Sequence, residues 1–153
     1  MDKMNTKKLL KALSGLYSDA KFVVEATGYD ECSLDKVEYN ENDPEDCFIY
    51  DKELEIMKNL EKAVFIYERY LKTSVTKAGY LQYDSSKDRY CLEDIEFHCG
   101  DSVEVLITDD FFENKKWVST RFETDNGEWY LVGYPNQSIV GLEARIRWWF
   151  LKF

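Results

Sequence analysis

One histidine, His98, is all the imidazole in a chain of 153 residues. No catalytic signature surrounds it, so Phe97-His98-Cys99-Gly100-Asp101 reads as a metal-ligand pair, a turn or a recognition edge. The four cysteines, Cys32, Cys47, Cys91 and Cys99, contain no Cys-x-x-Cys pair, which argues against a standard zinc module. No glycine-rich phosphate loop is present. No window approaches the roughly 18 apolar residues of a membrane-spanning helix, and the first residues lack the apolar run of a signal peptide. A protein without a membrane segment, inside the cell and with reduced thiols, is the expectation. Basic residues are also short, 20 against 30 acidic ones, and the net charge of −10 repels nucleic-acid phosphates while favouring basic protein surfaces.

Apolar residues make up 44% of the chain, enough for a real core. Leu9, Leu13, Leu16, Ala20 and Val23 recur every three or four residues, which predicts an amphipathic helix over residues 6–26 with Thr27-Gly28 as its stop. Between residues 30 and 55 eleven acidic side chains face two lysines, leaving nine net negative charges. Its middle, Asn40 through Asp46, has the Asn, Asp and Pro of a loop and reads as an acidic connector. Met57, Leu60, Val64, Tyr67 and Leu71 then predict a second helix over about residues 51–73, antiparallel to the first.

Past Lys77 the periodicity changes to that of strands, at residues 79–83, 89–92, 95–97, 102–108, 116–123, 128–133 and 142–148. Turn residues separate them, notably Asn126-Gly127. The expected fold class is α+β: a helical hairpin with an acidic connector over residues 1–77, then a small antiparallel β-barrel or curled sheet over residues 78–153. The last six residues, Trp148-Trp149-Phe150-Leu151-Lys152-Phe153, are too apolar for water and are expected to pack on the helices or on a second chain as a homodimer.

Gly79-Tyr80-Leu81, Asp88-Arg89-Tyr90, the stretch from Phe97 to Leu106, Trp117 to Glu123, Trp129 to Gly133 and Ala144-Arg145-Ile146 carry a resemblance. Together they resemble a small β domain of unknown function from mobile elements and phages of Gram-positive bacteria, covering about half the chain. The resemblance implies a fold type and a mobile-element setting, and no activity; the expected location is the cytoplasm of a bacterial host. In that setting the acidity is similar to that of anti-CRISPR proteins, inhibitors of CRISPR effector nucleases, whose channels are basic because they hold guide RNA and target DNA.

His98 and Cys99 could hold zinc only where a bend turns both side chains to one side, and Gly100 permits one. Their adjacency and the lack of an oxyanion element speak against a cysteine–histidine nucleophile, and no catalytic residue is assigned. Cations alternate with aromatics at Lys115-Lys116-Trp117 and Arg145-Ile146-Arg147-Trp148, yet residues 78–153 hold fourteen acidic and eight basic residues, an adverse balance for direct nucleic-acid binding. The functional expectation is a non-catalytic inhibitor of a type II CRISPR effector nuclease, with Asp43, Glu45 and Asp46 as docking acids and Tyr39 and Phe48 as anchors. The alternative is a metal-stapled or structural accessory module of a mobile element that binds a regulatory or replication protein.

Overall fold

The computed structural model describes residues 3–109, 111 and 113–147. The chain divides into two compact units, Met1–Lys72 and Thr73–Phe153, and its class is α+β.

In the first unit, helix α1 covers Thr6–Thr27. Asn5 caps its start, its side chain accepting from the Lys8 amide at 2.9 Å, and Gly28 ends it in the left-handed conformation at φ 62°. A Cβ at Gly28 would sit 2.9 Å from Cγ of Lys36, so position and conformation both call for glycine. Two short strands, β1 (Tyr29–Asp30) and β2 (Ser33–Leu34), turn the chain back, and the buried Leu34 donates its amide to the Tyr50 hydroxyl at 2.9 Å. Helix α2 follows at Pro44–Ile66 and widens into a π-helical turn at Tyr67–Lys72. The helices touch through Tyr17, which stacks on Tyr67 at 4.7 Å and donates its hydroxyl to Glu68. Lys21 donates to the same carboxylate at 2.7 Å. Those bonds, Lys21 first and Tyr17 second, hold the Glu68 carboxyl below its ordinary value.

Helix α2 corrects the sequence reading at both ends. Its start lies at Pro44, inside the segment read as a connector, because Asp43-Pro44-Glu45-Asp46 is a helix-initiating set. Asp43 is the N-cap and accepts from the Glu45 amide at 3.0 Å, proline occupies the first turn, and Glu45 and Asp46 face the positive end of the helix dipole. The α-helix ends at Ile66, and the π turn takes the residues up to Lys72.

Among its described residues the second unit holds eight strands: β3 (Val75–Tyr80), β4 (Gln82–Asp84), β5 (Arg89–Leu92), β6 (Ile95–Glu96), β7 (Ser102–Thr108), β8 (Lys115–Asp125), β9 (Glu128–Leu131) and β10 (Glu143–Arg147). They form a five-stranded antiparallel sheet in the order β3-β10-β7-β8-β9 and a three-stranded sheet β4-β5-β6. Of the expected small antiparallel barrel or curled sheet, the described residues form no closed barrel, since β3 and β9 stand at opposite edges of the five-stranded sheet. Strand β8 explains why: Lys115 to Arg121 pair with β7 and Phe122 to Asp125 pair with β9, so the order runs outward and does not return to β3. The β8–β9 hairpin turns on Asn126 and Gly127, both at positive φ, as an Asn-Gly pair favours.

The core lies between the two sheets. Leu81, Leu92 and Phe97 meet Val103, Val105, Ile107, Phe122, Leu131, Ala144 and Ile146 there, with the Phe97 and Phe122 rings 4.6 Å apart. Alternation along β7 sends Val103, Val105 and Ile107 into this core and Glu104 to the opposite face. The expected packing of residues 148–153, and the last residue of the 142–148 strand, lie outside the described residues.

Glu104 is nevertheless buried. It accepts from Nε of Arg145 and Nε of Arg147, both at 2.5 Å, while Arg147 donates a further bond to the Thr73 carbonyl at 2.5 Å and Arg145 lies 4.2 Å from the Trp117 ring centre. Burial alone would raise the Glu104 carboxyl, but the bonds from Arg147 and Arg145 outweigh it and hold the group below its ordinary value. A carboxyl depressed in the folded state stabilises fully above its unfolded pKa, and that stabilisation is lost as pH falls through the folded value. The urea midpoint of the protein is therefore expected to hold steady near neutrality and to fall progressively below about pH 4.5. Glu123 and Asp84, also depressed, act with the same sign. A midpoint unchanged down to about pH 3 contradicts this account.

Candidate functional site

The five residues singled out for docking come together at the start of α2. Tyr39 stacks on Tyr50 at 4.1 Å, which fastens the preceding loop to the helix. The Asn40 amide donates to Asp46 at 2.7 Å, and the Asn42 amide donates to the Asn40 side chain at 3.0 Å. The Cys47 thiol faces the carbonyls of Asn40 and Glu41 at 3.7 and 3.6 Å. The loop is thus laid across the first turn of the helix rather than hanging from it. Phe48 is exposed one turn on, with the Lys52 ammonium 5.8 Å from its ring centre. Partial burial, with Glu41 beside it, raises the Tyr39 phenol.

The acids here divide by role. Asp43 and Asp46 each accept a backbone amide and so help to build the loop and helix start. Glu45 lies exposed in the first turn, and its carboxylate is available to a partner. Acidic groups and two exposed aromatic side chains on one helix start can bind a basic protein surface: charge steers the encounter and the rings supply contact area. The composition pointed to this place, and the Asp-Pro-Glu-Asp signature shows why it is ordered.

His98 and Cys99 belong to the second unit. They sit in a turn closed by the Asp101 amide donating to the His98 carbonyl at 3.0 Å, with Gly100 at φ 91°. Their side chains go to different carboxylates. Nδ1 of His98 is 3.4 Å from Asp101, whereas the Cys99 thiol donates to Glu123 at 2.8 Å. The thiol, ahead of Arg121, holds Glu123 below its ordinary value. Among the described residues no three histidine, cysteine or carboxylate groups converge as a metal site would need. All four cysteines are free thiols.

Of the cations noted beside aromatics, Lys116 pairs with Asp109 at 2.7 Å and Arg145 and Arg147 pair with Glu104, while Arg121 on β8 pairs with Glu123 at 2.9 Å. Sequence reasoning missed Glu104, since one glutamate in an alternating strand reads as solvent-facing. The pairing register is what sets Glu104 opposite Arg145. Among the described residues no helix is long and apolar enough to cross a membrane.

No curated protein and no solved structure matches the chain. Residues 79–146, from within β3 to the end of the core-facing part of β10, match the family model DUF5348, a domain of unknown function, and the helical unit lies outside that match.

Proposed function

We propose that this chain is a non-catalytic protein-binding protein that docks through the start of α2 on a basic surface of its partner. The observation that supports this reading most is the gathering of Tyr39, Asp43, Glu45, Asp46 and Phe48 into one ordered surface at the acidic end of the helical unit. The unit works as a helical hairpin whose acidic end is presented by α2. A basic surface that normally holds nucleic acid is the complementary partner, because carboxylates compete there for sites built for phosphate. The sharper form of the proposal is inhibition of a type II CRISPR effector nuclease in a bacterial cytoplasm, with the protein obstructing guide or target loading.

A direct test is co-elution of the purified protein with a purified type II effector nuclease free of guide. A complex that dissociates between low and moderate salt is the expected result. Independent migration of the two proteins at every salt concentration overturns the nuclease as partner. The second reading is a metal-stapled or structural accessory module of a mobile element that binds a regulatory or replication protein; the family matched by the β unit assigns no activity to either reading. Capture of such a protein from host extract, lost on substitution in the β unit and kept on substitution at Glu45, supports that reading against the first.

A further inference from the structure

The helical unit leaves an apolar face uncovered. Leu9, Leu16 and Val23 lie seven residues apart on α1 and are 48%, 64% and 38% exposed; Ile49 and Ile56 lie seven apart on α2 and are 45% and 54% exposed. Ala63 continues the α2 line. Between the helices runs a groove of about 390 Å³ lined by Leu13, Leu16 and Ala20 from one side and Leu60, Ala63 and Tyr67 from the other. No residue of α1 is buried, and Met57 is the buried residue of α2. Two helices cannot enclose a core by themselves, whereas two such pairs, joined along seven-residue stripes, form a four-helix bundle.

Charge selects the occupant. The start of α1 carries Lys7, Lys8 and Lys11, and within the helix no acid precedes Asp19. The first half of α2 carries Glu45, Asp46, Asp51, Glu53 and Glu55 against Lys52. Tyr17 meets Tyr67 and Glu68, while the end of α1 leads through β1 and β2 to the start of α2, so the basic and acidic ends lie at opposite ends of the unit. A second copy laid antiparallel across the groove sets each basic end beside an acidic end, twice, as a two-fold axis requires. A parallel copy sets like charges together.

We propose that this apolar face is the interface of a homodimer, in which two helical units pair antiparallel about a two-fold axis into a four-helix bundle. The proposal is independent of the partner assay, because it is read from the mass of the protein alone. Sedimentation equilibrium of the full chain is expected to give a dimer. A monomer at about 100 μM, a concentration well above the Kd of a specific dimer, overturns the proposal and leaves the groove to another occupant. Leu16→Lys together with Ile56→Lys is expected to give a monomer, and a dimer that survives this change places the interface elsewhere.

Because that variant could unfold the unit, an exposed pair of substitutions keeps the test decisive. Lys8→Glu with Lys11→Glu is expected to weaken the dimer by about tenfold, and adding Asp51→Lys with Glu55→Lys is expected to restore it. Weakening by both sets without restoration contradicts the antiparallel arrangement. Far-UV circular dichroism confirms that each variant remains helical.

Discussion

Replacing Glu104 with alanine is expected to lower the unfolding free energy of the protein by about 3–5 kcal/mol. The substitution removes the carboxylate that accepts from Arg145 and Arg147, and it leaves two guanidinium groups facing each other beside a sheet face. The cost of stranding a partly desolvated charge exceeds the net worth of the ion pairs themselves, so loss of one partner is far more damaging than exchange of all three. The Arg147 bond to the Thr73 carbonyl and the Arg145 stack on Trp117 hold the guanidiniums in place, which limits their escape to water. Urea unfolding followed by tryptophan fluorescence measures the change. A loss under about 1 kcal/mol would mean that the three groups are solvated in the protein and that this cluster is not a structural element.

Neutralising the acids at the start of α2 without disturbing its cap is expected to weaken partner binding by about tenfold or more. Asp43→Asn, Glu45→Gln and Asp46→Asn together keep the side-chain oxygens that accept from the Glu45 and Asn40 amides, because asparagine caps a helix as well as aspartate does. Charge reversal by lysine at the same three positions would be a poorer probe. It deletes the N-cap at Asp43 and the Asn40 acceptor at Asp46, at roughly 1 kcal/mol for a lost cap, and confounds binding with folding. The isosteric triple is therefore expected to melt within a few degrees of the parent while the complex with the basic partner dissociates at lower salt. Unchanged affinity in the folded triple variant would remove this surface from the mechanism.

Much of the fold is legible in the sequence where one period dominates. Strand β7 is bounded as read, at Ser102 and Thr108, because Val103, Val105 and Ile107 alternate without interruption, and β5 is bounded as read at Arg89 and Leu92. Helix α1 starts at Thr6 as its apolar stripe requires and stops before Gly28. The start of α2 was obscured by composition: acid density reads as solvated linker, while the cap chemistry of Asp43 and Pro44 carries the actual signal. Strand β3 begins at Val75, ahead of the change in pattern after Lys77, since its residues pair with β10 across the sheet and only some are covered.

Closure of a sheet depends on which strands pair, and pairing is not written in local alternation. The length of β8 decides it here, by serving two neighbours in succession. The same limit hid the Glu104 cluster, whose members are distant in sequence, and it hid the separate carboxylates, Asp101 and Glu123, that lie beside His98 and Cys99. The candidate docking surface was legible as a composition because its members are close in sequence. What sequence could not give was the division between Asp43 and Asp46, which hold the backbone, and Glu45, which is available to a partner.

The most direct measurement is DNA cleavage by a purified type II CRISPR effector nuclease, with this protein added before guide loading, after guide loading and after target binding. The account predicts inhibition that is strongest before the nucleic acid occupies its channel, that weakens with salt, and that is lost in the Asp43→Asn, Glu45→Gln, Asp46→Asn variant. Full cleavage at large molar excess of the folded protein, whatever the order of addition, would contradict it.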